Sequence, residues 1–394
     1  MAIYLQWATP MKNRIEELDA LRGLMLVWMT CTHLPTVLSI YLNQPIGYFA
    51  ATEGFIFLSA LFTGRICSRL VQRQGNAEMC RNVWMRAVRL YGYQLLLLAF
   101  AFVIEAPIAA RGNRPAVHNL LNYFYVVGRP RAFLDAALMF YRPPLLDILP
   151  IYIIFLALTP FAVLLGTKWG WKYALTGGLA LWLFAQFGLK NIVYKWLTHA
   201  FGLRVPLNEM GAFDLWAWQL WWLVGLWLGV HWANSDLHFD RWAKKLAVLV
   251  PAAVIAIGFM ALRYVQLITD LDFGKFAALF DKWEFGFVRI VDFTAVAAIA
   301  IRFRPLLKPL AVRPLVMLGQ ASLWVFCVHL LCVFFALTVM GNNAMLTGWP
   351  AAVLVLVSFT SLLLTAIIAN RRAVKAAASR AAPMVNLPQV KQQG

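Results

Sequence analysis

Runs of about 20 apolar residues recur along almost the whole chain, each long enough to cross the ~30 Å hydrocarbon layer of a bilayer. They fall at 20–42, 45–65, 87–109, 145–166, 171–189, 213–233, 247–268, 287–303, 314–339 and 349–370. In lipid a spanning backbone must satisfy its own N–H and C=O groups, and runs of this length do so as helices. The sequence therefore reads as an all-α, polytopic integral membrane protein of about ten transmembrane helices. Charged residues make up only 13% of the chain, against about 25% in a water-soluble domain. Residues 1–370 read as a single transmembrane domain. Residues 371–394 read as a cytoplasmic basic tail, Ala-rich and expected to be mobile. The first run has no small-residue cleavage site and reads as a signal anchor.

The net charge of +18 could suggest nucleic acid, but its distribution points to the membrane. With the amino terminus in the cytoplasm, 23 of the 35 basic residues fall in cytoplasmic segments. They include Lys12, Arg14, Arg22, the run Arg65, Arg69, Arg73, Arg81, Arg86 and Arg89, then Arg241, Lys244 and Lys391. The positive-inside rule then places both termini in the cytoplasm, and the expected location is a bacterial inner membrane. Two outer loops are long, 110–144 and 190–212. The five cysteines lack CxxC spacing and read as small buried hydrophobes. No P-loop or GxGxxG fingerprint is present, and no metal site is expected.

Titratable groups inside a bilayer are costly and face a cavity or a partner. Arg22 and His33 are eleven residues apart, about three helical turns, so they share a face ~16 Å apart along the axis. His33 lies ~20 Å from the inner end of its span and His329 ~22 Å from the inner end of the ninth. Glu53, entering from the outer side, falls in the same layer. A histidine beside a carboxylate is the arrangement of a general base; a histidine bonded to a backbone carbonyl is the plain alternative. Arg289 and Asp292, three residues apart, are placed to pair locally. Arg263 is placed to bind a substrate carboxylate or to snorkel outward. Asp147 and Asp214 begin helices on the outer side, where a carboxylate suits a helix amino end or a polyol. Trp216, Trp218, Trp221 and Trp222 read as an interfacial belt, with stacking on sugar rings as the alternative. The Arg65–Arg89 run is explained by topology alone, yet its guanidinium forks also match phosphate.

These residues resemble a family. Arg22 to His33 matches the R-x10-H signature of the acyltransferase-3 membrane acyltransferases. "ELDALRG" (17–23) resembles more specifically the OpgC branch, which transfers succinyl groups to periplasmic glucans. "EGFIFLSA" (53–60), with Ala60 where Gly is more usual, "DILPIYIIF" (147–155), "WQLWWLVG" (218–225) and "LGQASLWVFCVHL" (318–330) resemble segments of that branch. The lysosomal heparan N-acetyltransferase looks like a distant relative.

The resemblance implies a co-substrate, acyl-CoA with succinyl-CoA favoured, and no permanently bound cofactor. Arg22, Arg65, Arg69 and Arg86 would hold its phosphates. His33 would deprotonate a glucan hydroxyl, with Glu53 orienting it. His329 would donate to the oxyanion or bind the sugar, and Arg263 or Arg289 would receive a succinyl carboxylate. Pro35, just after His33, is expected to break the helix there. The partners are then acyl-CoA, a periplasmic glucan or other polysaccharide and the lipid bilayer, with a homodimer allowed and no nucleic acid. An acetyltransferase for another surface polysaccharide, or a transporter of a glycan or lipid-linked glycan, are the competing readings.

Overall fold

The structure, a computed structural model, describes residues 15–112, 114–234, 245–340 and 345–381, the last five without their side chains. Lys12, Arg14, Arg241, Lys244 and Lys391 of the orientation count lie outside these residues, as does the tail beyond Ala381. Among the described residues the chain is helical, with two isolated β-bridges and no strand.

Helix α1 (Glu16–His33) opens on Glu16, Glu17 and Asp19, which complement the positive end of its dipole. It stops at His33 because Leu34 must be extended ahead of Pro35. The first expected span is thus a helix, a break and a short helix, Leu38–Leu42. The break puts His33 on the last turn of α1.

Helix α2 (Ala51–Ala99) joins the second and third expected spans across a kink at Gly75, where φ is 82° and ψ is 176°. A positive φ is open to glycine at little cost. The arginines from Arg65 to Arg89, expected in a loop, therefore sit on helix. The reason is plain in the sequence: between 65 and 89 there is no proline and only this one glycine.

The outer loops also fold. Residues 110–144 hold three short helices, Pro115–Leu120, Asn122–Val127 and Arg129–Ala137. The core then continues through α3 (Ile148–Leu165), α4 (Trp171–Gln186), the outer helix α5 (Leu189–Phe201) and α6 (Leu215–Ala233). After these come α7 (Leu246–Thr269), α8 (Phe287–Arg302), α9 (Arg313–Gln320) and α10 (Ser322–Met340). Helix α11 (Gly348–Ala381) runs eleven residues past the expected boundary at 370.

Among the described residues, five helical stretches are long and apolar enough to cross a membrane: Ala51–Gly112, Ile148–Gln186, Leu246–Thr269, Ser322–Met340 and Gly348–Ala376. The runs at 20–42, 213–233 and 287–303 form α1, α6 and α8, which fall outside that set.

Backbone-to-backbone packing sets where α1 stands. A Cβ on Gly23 would strike the Leu315 carbonyl, and one on Gly319 would strike the Asp19 carbonyl. Helices α1 and α9 therefore touch along their main chains, as small residues permit in membranes. Gly225 and Gly229, four apart on α6, let α2 approach in the same way. Helix α2 also packs on α3, α10 lies against α1 and α11, and α7 pairs with α8.

A short stitch then holds the outer end of α1. Leu346 N–H donates to the Pro35 carbonyl at 2.9 Å, and Val37 N–H donates to the Leu346 carbonyl at 3.1 Å.

Candidate functional site

Arg22 and His33, three turns apart on α1, line two different cavities. Arg22 borders an inner one of about 60 Å³ with Arg86, Phe55, Leu90, Tyr152 and Phe326. His33 borders an outer one of about 370 Å³ with Thr32, Ser39, Asn43, Arg263 and Lys282. Between them stand the stacked rings of Phe55 and Phe326, 5.9 Å apart, and His329, which is fully buried.

His33 and His329 meet although 296 residues separate them. His33 Nδ1 lies 3.0 Å from His329 Nε2, and His329 Nδ1 lies 3.1 Å from the Phe326 carbonyl on its own helix. The carbonyl can only accept, so His329 carries its proton on Nδ1. With both rings neutral, its Nε2 then accepts from His33 Nδ1–H. By this bonding logic His33 is left with a lone pair on Nε2, on a ring that borders the outer cavity. The arrangement suits a general base whose tautomer is held by a second ring.

The expected partner of His33 is engaged elsewhere. Glu53 is fully buried, and its Oε1 accepts from Arg289 Nη1 at 2.5 Å. Its Oε2 caps its own helix by accepting from Ala50 N–H at 3.1 Å. Arg289 also donates to the Tyr48 carbonyl at 2.7 Å and to the Phe280 carbonyl at 3.0 Å. So Glu53 does not orient His33; a buried guanidinium is the stronger claimant on a carboxylate. The local Arg289–Asp292 pair does not form either. Asp292 instead accepts from the N–H groups of Tyr48 and Phe49 at 2.7 and 3.1 Å. This cluster straps the 45–50 turn and the 280–289 segment to the start of α2, and it commits Arg289 to Glu53, Tyr48 and Phe280.

Other expected residues divide similarly. Asp214 is a plain helix cap, accepting from Trp216 and Ala217 N–H at 2.7 and 3.2 Å. Asp147 does not cap its own helix but accepts from Ala212 N–H at 3.2 Å, tying down the loop before α6. Of the tryptophans, Trp218, Trp221 and Trp222 are core residues rather than a belt. Their indoles donate to the Trp283 carbonyl, the Glu53 carbonyl and Thr159 Oγ1. They face inward because α6 is enclosed by α2 and α4.

Arg22 donates to Ser322 Oγ at 2.6 Å, and Arg86 donates to Tyr152 Oη at 2.7 Å and Thr63 Oγ1 at 3.2 Å. Arg65 lies over Trp232, and neither Arg65 nor Arg69 borders the inner cavity. Arg263 donates to Gln266 Oε1 at 3.1 Å and borders the outer cavity.

Lys282 was not singled out from the sequence. It lines the outer cavity, its ammonium lies 4.9 Å from the centre of the Trp283 ring, and among the described residues it has no hydrogen bond or ion pair. Burial holds its pKa below the ordinary lysine value, opposed by the nearby Glu53 carboxylate. One signal was readable: it is a lysine between Asp281 and Trp283 on the side where basic residues are scarce.

A protein-family model described as "OpgC protein" matches residues 14–374. No curated protein and no solved structure matches the chain.

Proposed function

Because this chain belongs to the OpgC family, we propose that it is a membrane O-acyltransferase modifying osmoregulated periplasmic glucans. In this reading it moves an acyl group, succinyl favoured, from a CoA thioester to a glucan hydroxyl. The observation that carries the reading is the His33–His329 pair, with His33 lining the outer cavity and His329 against Phe326, which lines the inner one.

The thioester arm approaches from the side of Arg22 and Arg86, whose guanidiniums suit phosphate oxygens. The glucan approaches through the wider outer cavity. His33 Nε2 takes the hydroxyl proton as the oxygen attacks the thioester carbonyl. The tetrahedral intermediate collapses, the C–S bond breaks, and the imidazolium returns the proton to the departing thiolate. His329 steadies that imidazolium by accepting from Nδ1–H, the part an acidic residue plays in a hydrolase triad. His329 thus acts through His33 as a positioning residue, in place of the sugar-binding or oxyanion role expected for it.

The test is direct. Purified protein in lipid is given labelled succinyl-CoA and a periplasmic glucan, and ester-linked label is followed in the glucan. Transfer that collapses in His33→Ala supports the reading. Transfer that survives in His33→Ala overturns the base assignment, and no transfer from folded wild-type protein overturns the activity.

A further inference from the structure

The outer cavity holds a second kind of chemistry beside the base. Its named lining is Thr32, His33, Ser39, Ile40, Asn43, Arg263, Leu267, Lys282 and Met345, with two cations and no acid among them. Of the carboxylates that bear on Lys282, Glu53 is paired with Arg289 and Asp147 accepts from Ala212 N–H. A cation that reaches into a cavity without a protein counter-charge is costly there, and an anionic ligand offsets that cost. Arg263 adds a planar fork suited to a carboxylate, and Thr32, Ser39 and Asn43 line the same cavity with hydrogen-bonding groups.

We propose that Lys282 and Arg263 form a carboxylate-binding pocket that selects a transferred acyl group ending in a carboxylate over a neutral one. The proposal rests on the acyltransferase reading and deepens it by naming the residues that discriminate between donors. Arg289, the other candidate, is excluded by its bonds to Glu53, Tyr48 and Phe280. Discrimination follows because a neutral acyl group brings no counter-charge to the two cations of this lining, whereas a dicarboxylic one does. An anionic substituent on the glucan would meet the same cations, so the experiment separates the two sources.

Wild type, Lys282→Met, Lys282→Arg and Arg263→Gln proteins in lipid are each given succinyl-CoA or acetyl-CoA. The acceptor is a neutral glucan or a carboxymethylated one. The expected result is a succinyl-to-acetyl ratio that falls about tenfold in Lys282→Met and about tenfold in Arg263→Gln. Lys282→Arg should hold most of the ratio, and acceptor charge should leave it unchanged. A ratio unmoved by Lys282→Met overturns the proposal. So does a ratio that moves only with the carboxymethylated acceptor, which would assign the cations to the glucan.

A second measurement stands apart from turnover. Labelling of Lys282 by an amine-reactive ester is read by mass spectrometry, with a non-hydrolysable thioether analogue of succinyl-CoA or of acetyl-CoA present. Protection by the succinyl analogue alone supports the pocket. Equal labelling with both overturns it, even in a preparation that transfers nothing and so defeats the acyltransferase reading itself.

Discussion

The inner and outer cavities both hold cations, but only the outer one includes a cation, Lys282, with no hydrogen bond or ion pair among the described residues. Around the inner one, Arg22 and Arg86 are tied to Ser322, Tyr152 and Thr63, and the remaining wall is largely Phe55, Ile56, Leu90, Leu149 and Phe326. Around the outer one, Lys282 has no bonded partner among the described residues, and the cavity is about six times larger, ~370 against ~60 Å³. Narrow apolar walls with pinned cations suit a slender chain and reject a hydrated sugar. A wide polar cavity with an unmatched cation suits a sugar and an anion. The proposed reaction assigns the narrow side to the acyl chain and the wide side to recognition, with the histidine pair between them.

The sharpest way to break this division is at the junction. His33→Ala should lower the transfer rate by about 10³-fold, since a positioned general base contributes on the order of 10² to 10⁴. Single-turnover assays would measure it, and a loss under tenfold would remove the junction from the chemistry.

His329→Leu should lower the rate by roughly 10²-fold by freeing the His33 tautomer, and His329→Gln should restore part of it through its amide oxygen. The loss should fall on kcat with little change in KM for either substrate. Equal losses in the Leu and Gln variants would argue for packing alone.

Arg22→Ala should raise KM for acyl-CoA about tenfold and leave that for the glucan in place, because a lost charge-assisted bond is of that size. A shift in glucan KM would erase the inner–outer distinction.

Glu53→Gln sharpens the comparison from another direction. It leaves Arg289 buried without its counter-charge and should cost about 3–5 kcal/mol of stability. Thermal unfolding in detergent would show this, while the rate per folded molecule falls far less than in His33→Ala.

The smallest effect concerns pH. Lys282 loses its proton at a lower pH than an exposed lysine, because burial disfavours its charge. The preference for a carboxylate-bearing donor should therefore fade as pH rises, beginning below the ordinary lysine range. Glu53, Arg289 and Asp147 bear on that proton and would shift the midpoint when changed. A donor ratio flat up to strongly alkaline pH would count against Lys282.

Local features of the chain were legible before the structure. The apolar runs marked where helices form, the Arg22–His33 spacing placed both on α1, and Pro35 marked its end. What spacing along one helix cannot reveal is who meets whom across helices. His33 takes His329 because α1 and α10 pack together, and Glu53 takes Arg289 because α8 brings a guanidinium within reach. Depth arithmetic put His33, Glu53 and His329 in one layer, yet a layer is a plane and not a contact. The tryptophans of α6 were misread for a related reason. An aromatic-rich helix reads as a belt until its neighbours are known, and here α2 and α4 enclose it. Lys282 was passed over because loops carry no periodicity to mark a side chain that turns back toward the core.

The stitch between Pro35–Val37 and Leu346 has a consequence for how such a chain is made. It clasps the segment just after the first helix to the segment just before the last, and His33 meets its partner ring only through α10. Ribosomes deliver the amino-terminal end first, so the base is synthesised long before the ring that sets its tautomer. Nearly 300 residues must be inserted before the two can face each other. A nascent or truncated chain thus carries Arg22 and His33 in full and still lacks the ring contact that fixes the His33 tautomer.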